Sequence, residues 1–147
     1  MRFVIDVVAG ELLEKHPLEY WWAPDFPAID PRRWGRRYDD FWMLGISETG
    51  KPGRKFFDEL VHLSWAGGGG YQTYRVPKGQ YLGGEPVFLG DPADPKHGLV
   101  ICQLLEAETR RGSFLLFDAF DVTRGPIAKL PLPRAIPPCF HASFHAD

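Results

Sequence analysis

Cysteine is scarce in this sequence. Only Cys102 and Cys139 occur among 147 residues, which excludes a disulfide framework and fits a reducing compartment. Cys102 lies inside the apolar run Leu99–Leu105, where a thiol behaves as a small, inert hydrophobe. Long hydrophobic runs are missing too, and none approaches the roughly 20 residues that a helical membrane span requires. Asp6 interrupts the N-terminal Phe3-Val4-Ile5 run, so no secretory leader is read there, and a cytoplasmic protein is the expectation. Peripheral membrane contact stays open, because apolar substrates are often drawn from membranes. Neither sign of charge dominates: 17 Lys and Arg face 19 Asp and Glu, a net charge of −2, which leaves no electrostatic footprint for nucleic acid. The one basic cluster, Arg32, Arg33, Arg36 and Arg37, is flanked by Asp30, Asp39 and Asp40 and reads as a solvated loop. The four glycines Gly67–Gly70 are followed by no Gly-Lys-Ser/Thr, so they read as a hairpin tip rather than a phosphate cradle. There is no internal repeat, no convincing amphipathic helix and no Gly-x-Ser-x-Gly elbow that would make Ser143 a nucleophile beside His141.

What is abundant points to strands. Aromatics make up 14% of the chain, with 16 Gly and 14 Pro, a mixture that favours many short strands and turns. The length suits a single core across residues 1–147. Phe3–Val8 and Glu11–Lys15 read as a hairpin turning at Gly10, ended by His16-Pro17. Glu19–Asp30, rich in aromatics and proline, reads as a structured connection. Arg36–Ile46 reads as a strand in which Tyr38, Phe41, Trp42 and Leu44 serve two buried faces, and Ser47–Lys55 as a surface turn. In Phe56–Trp65, Leu60, His62 and Ser64 alternate with Val61, Leu63 and Trp65, the pattern of a strand with one apolar face. Tyr71–Val76 is the return strand, Pro77-Lys78-Gly79 turns again, and Asp91–Gly98 is a polar, proline-rich loop. Leu99–Leu105 and Ser113–Asp118 are two further strands. The fold class is all-β and antiparallel.

Three short stretches carry chemistry. Pro137-Pro138-Cys139-Phe140-His141-Ala142-Ser143-Phe144 sets a histidine among aromatics; taken alone, such a histidine is more often a satisfied core or rim residue than a ligand. In an extended segment, Phe140, Ala142 and Phe144 share one face, while His141, Ser143 and His145 share the other. His145, four residues on, would sit about 13 Å from His141 along a strand, too far to share one metal. Gly83-Gly84-Glu85-Pro86-Val87-Phe88 holds a carboxylate before a proline, in isolation a turn-exposed acid. Asp25-Phe26-Pro27-Ala28-Ile29-Asp30-Pro31, followed by Gly35-Arg36-Arg37-Tyr38, holds a third acid.

Together these stretches resemble the C-terminal end of the carotenoid cleavage oxygenases, the family that includes the lignostilbene dioxygenases and the isomerohydrolase of the retinal pigment epithelium. Phe140–Phe144 is similar to the family's Phe-His-Gly-(Thr/Ser)-(Trp/Phe) end motif, with Ala142 where glycine is usual. The Glu85 stretch resembles Gly-Glu-Pro-x-Phe-Val-Pro, and the Asp25 stretch Glu-Phe-Pro-x-Ile/Val-x-Pro. The resemblance implies a partial seven-bladed β-propeller, about its last two to three blades, and a non-haem Fe(II) enzyme that uses O2 to cleave a conjugated C=C bond of a carotenoid, apocarotenoid or stilbene. It implies His141 as the last of four histidine ligands and Glu85 as the acceptor that orients it. Asp25 would be a second orienting carboxylate, serving a histidine upstream of residue 1, although it is one methylene shorter than the family's glutamate. His16, His62, His97 and His145 match no ligand motif. The chain alone is therefore expected to hold no catalytic iron and to need self-association, or a partner chain, to supply the missing blades. The other reading is a non-catalytic β module that binds an apolar ligand or a protein.

Overall fold

The computed structural model describes residues 1–47, 56–66 and 68–145. The expected turn at Ser47–Lys55 lies almost wholly outside them, as does Gly67 of the glycine run. Among the described residues, ten strands form three antiparallel sheets. The first is the hairpin of β1 (Arg2–Asp6) and β2 (Glu11–His16). The Asp6 carboxylate turns it by accepting the Val8 and Ala9 N–H groups at 2.9 and 3.0 Å, so β1 stops at Asp6, two residues before the expected end at Val8.

The second sheet is a four-stranded meander of β3 (Asp25–Ala28), β4 (Asp40–Gly45), β5 (Glu59–Ser64) and β6 (Tyr71–Arg75). Strand β3 lies within the segment read as connection. Proline and an irregular register at this sheet edge hid it, for Asp25 pairs with Leu44 and Ala28 with Trp42 while Phe26 takes φ +53°. Edge strands tolerate a residue without an N–H, and bulges locate there. The third sheet is the meander of β7 (Gln80–Gly90), β8 (Gly98–Glu106), β9 (Arg111–Asp118) and β10 (Pro126–Pro131).

The two meanders pack face to face. Trp42, Leu44, Leu60 and Val76 of the second sheet and its exit meet Phe88, Val100, Leu104, Leu115 and Phe117 of the third. Trp42 anchors the seam: its indole stacks on Phe88 at 4.4 Å, and its Nε1–H donates to the Ala119 carbonyl at 2.7 Å. Cys102 sits in the same core, where burial pushes its thiol pKa up, as expected of an inert buried cysteine.

Strand β5 corrects the one-apolar-face expectation, because both of its faces are buried. Val61 and Leu63 pack on the far side against Tyr20, Phe41 and Met43. The segment leading into β3 covers that side, and Tyr20 Oη donates to Glu59 Oε2 at 2.6 Å while Arg75 grips Glu59 Oε1 at 3.1 Å. His62 is core as well, stacked on Trp42 and 2.9 Å from Asp40 Oδ1. That hydrogen bond holds the Asp40 carboxyl below its usual range.

Candidate functional site

A bulge in β7 begins the site. Its ladder with β8 pairs Gly83 with Gln103, then resumes at Val87 with Ile101. Strand β7 thus spends Gly84, Glu85 and Pro86 where β8 spends only Cys102. Extra residues on one strand bend it and re-aim a side chain. Gly84 permits the bend, since it takes φ +69°, a conformation that costs other residues a backbone penalty. Pro86 has no N–H to give to a ladder. Glu85 is left partly exposed, facing the C-terminal segment.

That segment, beyond β10, forms no strand up to residue 145. Pro133, Pro137 and Pro138 break its donor row, so a continuous ladder is unavailable to it. It is tied to the third sheet instead by Leu132 N–H to the Gly112 carbonyl at 3.0 Å and by Gly84 N–H to the Cys139 carbonyl at 2.6 Å. Gly83 leaves room for the crossing: a Cβ there would come within 3.3 Å of the Pro138 backbone. Ala142 is absent from the left-handed residues of the chain, so its methyl group is accommodated in ordinary backbone where the resemblance has glycine.

The segment brings His141 to Glu85. His141 Nδ1 lies 3.1 Å from Glu85 Oε1, and Glu85 Oε2 accepts the Ala142 N–H at 3.3 Å. One carboxylate holds both the ring and the next backbone amide. An ionised carboxylate only accepts, so in the neutral ring this contact places the proton on Nδ1 and the lone pair on Nε2. The imidazole is 83% exposed, which leaves that lone pair open to a ligand or another chain. Exposed pairs of this kind contribute at most about 1 kcal/mol to stability, so the contact orients the ring more than it holds the fold.

Asp25 stands apart from this pair. It begins β3, is exposed, and accepts its neighbour's N–H, Phe26 N, at 2.8 Å. Its link to the site is indirect: the Phe26 ring meets Phe140 edge-on at 6.1 Å. The other histidines are engaged locally, His16 with Glu14, His97 with Asp94, His145 with Ser143, and His62 in the core. Among the described residues no three of His, Cys, Asp and Glu cluster as a metal site would need. His141 Nε2 has the right chemistry for a borderline metal ion, but one imidazole is too small a donor set for a mononuclear iron. The residues present do not by themselves fit that group.

Beside the ring, the third sheet and the C-terminal segment enclose a cleft of about 470 Å³. Val87, Ile101, Phe114, Leu130, Ile136 and Phe144 line it together with His141. Sequence reasoning missed two residues here. Cys139 presents an exposed thiol to the cleft, and Gln103 binds the C-terminal segment from beneath. The signal for Gln103 was a single amide in the otherwise apolar run Leu99–Leu105.

Residues 1–146 match the family model of the retinal pigment epithelial membrane protein, RPE65. The chain is 28% identical over 145 residues to apocarotenoid-15,15'-oxygenase of Synechocystis sp., a match spanning 97% of this chain and 28% of that protein. It superposes on the cobalt-substituted Synechocystis apocarotenoid oxygenase with a TM-score of 0.83 at 23% identity, covering 99% of this chain and 29% of the other. For the lignostilbene dioxygenase of Pseudomonas brassicacearum the TM-score is 0.72 at 26% identity, over 82% of this chain and 26% of that one. The chain therefore spans less than a third of the length of these relatives.

Proposed function

Because this chain belongs to the RPE65, or carotenoid cleavage oxygenase, family, we propose that it is the C-terminal part of a non-haem Fe(II) dioxygenase that cleaves a conjugated C=C bond of a carotenoid, apocarotenoid or stilbene. In this reading the two meanders are consecutive blades of a seven-bladed propeller, and the β1–β2 hairpin belongs to a third. His141 contributes one of four histidine ligands, and a polypeptide carrying the preceding blades contributes the other three. The relatives' names and metal content support the reaction class: one is an apocarotenoid oxygenase, one a lignostilbene dioxygenase, and one was studied with cobalt in place.

The observation that carries the reading is the Glu85–His141 hydrogen bond at 3.1 Å. A metal-binding imidazole needs its second nitrogen engaged, so that tautomer and ring plane are set before the metal arrives. Bound iron would supply O2 activation; this chain's own contribution is to hold a proton at Nδ1 and offer Nε2. With one ligand it is inactive alone, and no catalytic step is assigned to it.

The test is iron retention after anaerobic Fe(II) loading and desalting, with the chain alone and mixed with the upstream portion of a relative. We expect far less than one iron per chain alone, near-stoichiometric iron in the mixture, and loss of that gain in His141→Ala. Stoichiometric iron in the isolated chain, or a mixture indifferent to His141→Ala, would overturn the reading. The apolar cleft supports a second reading, a non-catalytic module that binds an apolar ligand. A fluorescent stilbene that bound wild type and His141→Ala equally, with no iron gained on mixing, would favour that module.

A further inference from the structure

We propose that Gln103 is the positioning residue for His141, setting the ring through the C-terminal segment rather than by touching it. Gln103 is 5% exposed, in the middle of β8. Its Nε2 donates to the carbonyls of Ile136 at 3.3 Å and Pro137 at 2.9 Å, and its Oε1 accepts the Cys139 N–H at 3.0 Å. Both donors and one acceptor of a single amide are thus spent on three residues of a segment that has no ladder of its own. The contact straddles Pro137-Pro138, where the segment lacks N–H groups and cannot pair with β8 directly.

The placement is specific. Gln103 sits opposite Gly83, the last paired residue before the bulge that projects Glu85. One ladder position therefore fixes both ends of the Glu85–His141 contact. The bulge carries the carboxylate, and Gln103 stops the incoming segment two residues before the ring. The neighbouring residues Val100, Cys102 and Leu104 face the hydrophobic core, so the amide is the one group of this strand segment turned to polar work. Its hydrogen bonds all go to the segment and none to the sheets. A shift of that segment would move His141 relative to Glu85, because the carboxylate rides on β7 and the ring on the segment. What the positioning serves rests on the ligand reading above. The test is run metal-free, so failure of the one is distinguishable from failure of the other.

The experiment is NMR of the metal-free chain as wild type, Gln103→Leu and Gln103→Glu. In wild type the Gln103 side-chain NH2 should exchange about tenfold or more slowly relative to that of Gln80, whose Nε2 makes only a 3.5 Å approach to Glu106. Gln103→Leu removes all three bonds. Gln103→Glu keeps an acceptor for Cys139 but turns a second acceptor on the Ile136 and Pro137 carbonyls. In both variants the Gly84 and Cys139 amides should exchange about tenfold faster, and the His141 ring nitrogens should leave the Nδ1–H tautomer pattern. The amides of Leu104 and Leu115 should hold their protection. A purely structural role would instead accelerate β8 and β9 together and leave the tautomer in place. Folded variants with wild-type Cys139 exchange and a wild-type His141 tautomer overturn the proposal. If neither variant folds, the wild-type Gln103 amide decides alone: exchange as fast as that of Gln80 overturns it.

Discussion

Asp40 and His62 show how a polar pair reads differently once its surroundings are known. On a strand pattern, His62 is one alternating residue among several. In the fold its ring stacks on the buried Trp42 indole and meets the Phe120 ring edge-on, and its Nε2 engages Asp40. That engagement, with a further hydrogen bond from Ser64, depresses the Asp40 carboxyl. A depressed carboxylate stabilises the fold above its unfolded pKa of about 3.9 and loses that contribution as pH falls through the folded value. Asp40→Asn should therefore cost about 1 kcal/mol at pH 7, discounted for the partial exposure of the carboxylate. The gap to wild type should close below about pH 4. Thermal melts from pH 3 to 7 check this, and a gap independent of pH counts against it. Gly84 belongs at the same scale. An added methyl would meet only ordinary contacts, 3.5 Å from Ala142 Cβ and 3.8 Å from Cys139 Cβ, so the cost of Gly84→Ala is the left-handed backbone, about 1 kcal/mol. Because the bulge carries Glu85, that variant should also loosen His141. Urea titration and the His141 ring signals measure the two effects separately.

At the scale of elements, two of the sheets meet the edge problem differently. The outer strand β10 is bounded by Pro126 and Pro131 and carries Lys129, which pairs with Glu106 at 2.8 Å; prolines and charge blunt an edge against foreign strands. The β1–β2 hairpin has charge on β2, at Glu11, Glu14 and Lys15, but no proline within either strand. Phe3, Ile5, Val7, Val8, Leu12 and Leu13 are each more than half exposed, and a two-stranded hairpin is marginal in water without a surface to pack on. Replacing Val8 and Leu13 together by lysine should leave the melting free energy within about 0.5 kcal/mol, since neither side chain is packed. The same change should lower self-association in sedimentation experiments. Unchanged association would show that the hairpin is not the sticky surface. The strand segments were legible wherever alternation or apolar runs survived, as in β8 and β9, whereas the strand expected over Arg36–Ile46 is β4 only from Asp40 to Gly45. Strand β3 was not legible, because proline and a positive φ at Phe26 erase the local pattern while hydrogen bonds from β4 still pair it. Nor was the second buried face of β5, which exists only because a distant segment, Tyr20 included, folds over it.

At the scale of the whole molecule, the chain spans under a third of its relatives, and its first sheet has two strands where the others have four. On the proposed reading, a polypeptide carrying the upstream blades would bind the native state and not the unfolded one, so stability should rise with its concentration. The unfolding free energy of the chain should rise by about 2.7 kcal/mol with an upstream portion of a relative added at a hundredfold excess over Kd, read as a higher melting temperature. A flat melting temperature would show that no such docking occurs.

The sequence by itself determined the antiparallel all-β class, the family, and the residues worth testing at the site, because strand pattern and short motifs are written in adjacent positions. His141 and Glu85 were legible as types and spacings. That they stand 3.1 Å apart was decided by tertiary structure, through a bulge in one strand and a proline-broken segment laid across it. Gln103 belongs wholly to that second category. An amide in an apolar run announces only that something polar must meet it, and a buried hydrogen bond has no partner in sequence until the chain has folded back.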